Sequence, residues 1–101
     1  MLAVFISVFL LNHVTGLHDC YYDYVPGHAL FGHNTAVLDN MSLDACRRTC
    51  TRKKKQCMSF EYDDELQFCF LNDKRRVDDP NLFGTHQQLD YYEKVNQIEF
   101  K

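Results

Sequence analysis

Four cysteines in the spacing Cys46-x3-Cys50-x6-Cys57-x11-Cys69 constrain this chain more than any other feature of its sequence. Ser42 is a good helix N-cap, and Asp44 stands in the first turn, where it complements the helix dipole. Leu43, Cys46 and Cys50 then recur at i, i+3 and i+7, one face of a helix, so the pattern predicts a helix over roughly 43–53. The two thiols sit one turn apart on that face. Four cysteines allow three pairings. A bond between Cys46 and Cys50 would leave the helix attached to nothing. The six residues between Cys50 and Cys57 suffice for a tight return from helix to strand, and Cys46 then reaches an adjacent strand at Cys69. The geometry therefore favours Cys46–Cys69 with Cys50–Cys57. The competing use of four thiolates is a zinc site, but zinc ligands typically come as two C-x2–4-C knuckles. Only Cys46 and Cys50 have that spacing, so neither a metal nor a cofactor is expected.

The compartment supports the same choice. Leu2 to Leu11 is a run of ten residues, apolar except for Ser7. Spanning a bilayer takes roughly 20, whereas a run of this length suits the apolar core of a secretory signal peptide. Asn12 and His13 follow, and Val14-Thr15-Gly16 places cleavage after Gly16. No Lys or Arg precedes the run, so its positive charge comes from the amino terminus alone. The expected product spans roughly 17–101, is secreted, and has no transmembrane segment. A chain this short buries a modest core, and secreted ones add disulfides worth about 2–4 kcal/mol each. Hydrophobic content of 46% fits one globular domain, and a net charge of -3 gives no reason to expect a nucleic-acid binder. With five cysteines in all, Cys20 is left over. It is free, bridged to another chain, or paired with sequence that this chain lacks.

Residues 20–41 hold Tyr, Val, Leu and Phe broken by Pro26-Gly27 and Gly32, the pattern of short strands joined by turns. From Cys57 to Tyr62 the chain alternates: Met58, Phe60 and Tyr62 on one side, Cys57, Ser59 and Glu61 on the other. Asp63-Asp64-Glu65 reads as a polar turn, and Leu66 to Leu71 as the second strand of a hairpin, carrying Cys69. Residues 72–90 are polar and interrupted by Asp79-Pro80 and Gly84, after which Asp90 to Val95 reads as a closing strand. The predicted class is α+β: a small antiparallel sheet stapled by disulfides to one helix.

These residues together resemble the PAN/apple domain family. The resemblance rests on the helical Cys46-Arg47-Arg48-Thr49-Cys50, on Cys57-Met58-Ser59-Phe60-Glu61-Tyr62, on Cys69-Phe70-Leu71 and on Tyr91-Tyr92-Glu93. Cys20, Val25-Pro26-Gly27 and Leu30-Phe31-Gly32 are similar to the opening of PAN domains in invertebrate extracellular proteins. It covers residues 20–95, leaving 1–16 as the signal peptide and 96–101 as a C-terminal tail. It implies a curved antiparallel sheet embracing one helix, clamped by two disulfides, and a non-catalytic role in protein–protein or protein–carbohydrate binding outside the cell. Apple domains often tie the first cysteine to one just past the terminal strand. Here that stretch is Lys94-Val95-Asn96, with no cysteine. The other roles in view are a matrix or cuticle component cross-linked through Cys20, and a truncated piece of a larger multi-PAN or zona-pellucida-type protein.

Arg47, Arg48, Arg52, Lys53, Lys54 and Lys55 fall within nine residues and hold six of the eleven basic side chains. Such density attracts polyanions, and the family includes heparin binders, so a sulfated glycosaminoglycan is the candidate ligand. The plainer reading is a solvated face whose charge Asp63, Asp64 and Glu65 offset. Asn40-Met41-Ser42 is an N-glycosylation sequon. His28 and His33, five apart, read as surface histidines rather than ligands. No G-x-S-x-G, H-E-x-x-H or phosphate-cradling loop occurs, and no enzyme activity is expected.

Overall fold

A computed structural model describes residues 21–95. The signal-peptide stretch, Cys20 and the tail at 96–101 lie outside the described residues. Among these described residues, seven strands and one α-helix follow in order: β1 (Tyr22–Val25), β2 (His28–Leu30), β3 (Asn34–Leu38), α1 (Leu43–Arg52), β4 (Ser59–Asp63), β5 (Phe68–Asn72), β6 (Phe83–Thr85) and β7 (Asp90–Lys94). Five of the strands form one antiparallel sheet in the order β1-β7-β4-β5-β3, while β2 and β6 pair as a separate two-stranded sheet.

The helix forms where its capping residues place it. The Ser42 hydroxyl accepts from the amide of Ala45 (3.0 Å), Asp44 pairs with Arg48 one turn on, and Lys53 closes the C-terminal end by donating to the Cys50 and Thr51 carbonyls. Its buried face is Cys46 and Cys50. Cys46 is bonded to Cys69 on β5 (Cα–Cα 5.7 Å) and Cys50 to Cys57 just before β4 (Cα–Cα 5.1 Å). These four sulfurs, with Phe60, Tyr62 and Leu71, make the buried cluster beneath the helix, and Tyr22, Leu38, Leu43 and Tyr92 pack around it.

The hairpin turn lies further along the chain, and is one residue longer, than its polar sequence suggests. Asp63 ends β4 rather than opening the turn, and its Oδ1 accepts from the amides of Glu65 and Leu66 (3.0 Å each). The turn therefore extends to Gln67, which takes φ +58°, and β5 begins at Phe68 instead of Leu66. The largest difference lies in residues 72–90. Two 3-10 turns, Arg76–Asp78 and Pro80–Leu82, lead into β6, which pairs with β2 through His28↔Thr85, Ala29↔Gly84 and Leu30↔Phe83. Three residues around a glycine carry no strand signal of their own; pairing with a distant segment makes this one a strand. Gly27, at φ +66°, turns the chain from β1 into β2, and its amide donates to Asp90 Oδ1 (2.9 Å).

The second small sheet also changes what β4 buries. Phe60 and Tyr62 face the helix as the alternation requires, but Ser59 and Glu61 on the opposite face are buried too. The amide of Leu30 on β2 donates to Glu61 Oε2 (2.9 Å), and Phe83 on β6 packs edge-on against Tyr91 on β7. The main sheet is thus covered by α1 on one face and, in part, by β2 and β6 on the other.

Candidate functional site

The six basic residues occupy the end of α1 and the turn after it, and that turn is firmly held. The Lys94 ammonium on β7 donates to the Cys50 carbonyl (2.8 Å) and the Lys54 carbonyl (2.9 Å), placing a cation where the helix dipole is negative. Lys54 stands at φ +53°, which reverses the chain, and the Cys50–Cys57 bond closes the loop from beneath. Pinned from inside, the turn presents Lys53, Lys54 and Lys55 to solvent along with Arg47, Arg48 and Arg52.

The six do not form one continuous patch. Arg48 is paired with Asp44 along the helix. Arg47 turns toward a hollow of about 250 Å³ that it shares with Tyr21, Tyr22, Tyr24 and Tyr92. Lys53 and Lys55 instead line a groove of about 510 Å³, with Thr35, Gln56 and Lys74 on its other walls. Lys74, nineteen positions along from Lys55, is the cation that spacing along the chain did not reveal: the β4–β5 hairpin, which sets Ser59 against Asn72, returns the chain beside the turn, and the Ser59 hydroxyl holds the Lys74 carbonyl there. One carboxylate, Asp73, shares the groove. Arg52 and Lys54 stand beside Lys53 on an adjoining shallow surface.

A family model described as PAN domain matches residues 20–96. The chain belongs to the PAN domain family. PAN domains are modules that bind proteins or carbohydrates. No curated protein matches the chain.

In this PAN domain the remaining polar residues have local tasks. Asp63 holds the hairpin turn, while Asp64 and Glu65 are exposed. His28 Nδ1 lies 2.9 Å from the Pro26 carbonyl, and its ring stacks on Phe83. His33 Nε2 lies 3.0 Å from Asp79. The two imidazoles thus engage different partners, and among the described residues no three His, Cys, Asp or Glu side chains gather to hold a metal. Asn40 is exposed at φ +54°, two residues before the helix cap. No helix among the described residues is long and apolar enough to cross a membrane.

A buried polar cluster went unread in the sequence. Asn72 Nδ2 donates to Ser59 Oγ (3.1 Å) and Glu61 Oε2 (2.9 Å), and Ser59 Oγ donates to the Lys74 carbonyl (2.6 Å). Beside it, the Tyr91 hydroxyl donates to Glu93 Oε1 (2.8 Å), and the amide of Arg76 donates to both. Burial pushes the Tyr91 phenol well above its usual range, so it remains a donor, and pushes the Glu61 carboxyl up to about 7. Together these bonds fix the 73–76 segment, and with it Lys74, against the sheet.

Proposed function

We propose that this PAN domain is a secreted, non-catalytic binding module whose basic turn engages a sulfated glycosaminoglycan. The observation that carries the reading is the groove at that turn. Among the described residues Lys53, Lys55 and Lys74 converge there, three ammonium groups against the one carboxylate of Asp73, with Arg52 and Lys54 alongside. Of the six clustered cations, only Arg48 is in an ion pair among the described residues. Asp63, Asp64 and Glu65, the expected source of neutralisation, pair with none of them there. Sulfate esters spaced along a polymer meet several such cations at once, and the attraction adds while remaining screened by salt. Export through a signal peptide at residues 1–16 agrees with the two disulfides, which persist in oxidising compartments.

The test is chromatography of the secreted chain on immobilised heparin. Retention at about 0.15 M salt, lost in the Lys53/Lys54/Lys55→Ala variant and weakened in Lys74→Ala, is the expected result. Passage of the unaltered protein at that ionic strength contradicts the proposal. Asn40, exposed beside the helix cap, is the proposed glycan attachment point. A second reading, a cross-linked matrix component, draws on the cysteine count: two bonds use four of the five cysteines, leaving Cys20 for a partner chain. A dimer on a non-reducing gel that collapses on reduction supports it.

A further inference from the structure

The sheet face turned away from α1 is only partly covered. Beyond β2 and β6 a cleft of about 360 Å³ remains between the segment from Leu30 to Gly32 and the β4–β5 hairpin. That volume falls in the ordinary range of ligand sites, about 300–1,000 Å³. Strand alternation builds its walls. Cys69 and Leu71 on β5 face the helix, so Phe68 and Phe70 face the cleft, and Glu61 and Asp63 on β4 do likewise. Phe31 supplies a third ring, while Leu66 and Leu89 supply aliphatic surface. The rim is apolar and open: Phe31 is 44% exposed, Leu66 60%, and Val37, paired in register with Phe70, 56%.

The charges are one-sided. Among the described residues, Glu61 and Asp63 are the only carboxylates on the walls, His86 is the only other titratable side chain, and no Lys or Arg lines the cleft. Glu61 is bonded to the Leu30 amide and to Asn72, both neutral, and is in no ion pair among the described residues. We propose that this cleft receives a protonated amine on an aliphatic stem, presented as a lysine side chain by a partner protein. The phenyl faces attract a cation through their quadrupoles. The Asp63 carboxylate attracts it more strongly than it would in bulk water, Glu61 adds its charge as it ionises above about pH 7, and the hydrocarbon walls suit a four-carbon stem. An anion is opposed by both carboxylates. The exposed apolar rim around the opening is surface that a protein partner covers and a free amine leaves wet. This site is separate from the basic turn, and the inference stands without the glycan reading.

The experiment is a two-dimensional amide NMR titration of the disulfide-intact secreted chain with Nα-acetyl-lysine-N-methylamide, and with its norleucine counterpart, which keeps the stem and lacks the charge. Expected are shifts confined to Leu30–Gly32 and 66–70, and at least tenfold tighter binding of the lysine probe. In Leu66→Arg, a change at an exposed rim position that leaves the core intact, binding should be lost through repulsion. Equal responses to the two probes, unaltered binding in Leu66→Arg, a stronger response to methyl glucoside, or shifts centred on the basic turn would each overturn the proposal. So would tighter binding of n-butylammonium than of the lysine probe, which would point to a free amine.

Discussion

Burial holds the Glu61 carboxyl up at about 7, against hydrogen bonds from Leu30, Asn72 and its own backbone that act the other way. From its ordinary value of 4.5 up to about 7, the folded chain therefore keeps a proton that the unfolded chain has released. The contribution to stability is fullest below 4.5, falls as pH rises through 7, and levels off above. A shift of that size is worth up to about 3 kcal/mol. Glu61→Gln keeps an acceptor for the Leu30 amide and removes the titration. Urea unfolding at pH 5 and pH 8 should show the unaltered protein losing stability toward pH 8 and the variant losing much less; identical losses contradict this account. Alternation along β4 places Ser59 and Glu61 opposite Phe60 without saying that both faces are buried. The group that covers Glu61 is Leu30, thirty-one residues earlier in the chain. Only the fold brings that amide and carboxyl together.

The helix was legible because its signals are local: the Ser42 cap, Asp44 in the first turn and the apolar spacing all lie within ten residues. β4, β5 and β7 carry strong aromatic and alternating patterns and were legible for the same reason, apart from their ends. β6 was not, since Phe83-Gly84-Thr85 is held only by its pairing with β2. The two disulfides act at this scale by joining elements. The Cys46–Cys69 bond closes a separation of 23 residues and the Cys50–Cys57 bond one of 7. Loop-closure entropy assigns about 3 kcal/mol to the first and about 2 kcal/mol to the second. Urea unfolding should rank the double variant Cys46→Ala/Cys69→Ala as less stable than Cys50→Ala/Cys57→Ala. The reverse order would mean that the short bridge matters mainly by fixing the 53–57 turn, where Lys94 already anchors the helix end.

For the molecule as a whole, two unlike surfaces share one sheet. A lysine-lined groove lies at the end of the helix, and an apolar, acidic cleft lies on the sheet's other face. The sequence disclosed the first as a run of charge but not its third wall, because Lys74 arrives from beyond the hairpin; it gave no sign of the second, whose walls come from four separate segments. The groove depends on the sulfur bonds that hold α1 and the turn after it to the sheet, and the map of those bonds is the most direct test of the account. Arg47 and Arg48 let trypsin separate Cys46 from Cys50, while Cys57 and Cys69 share one tryptic stretch that a glutamate-specific protease divides at Glu61 and Glu65. Mass spectrometry of the secreted, unreduced protein after both digestions should find Cys46 joined to Cys69 and Cys50 joined to Cys57. Free thiols at these four positions, a bound metal, or Cys46 joined to Cys57 would contradict it.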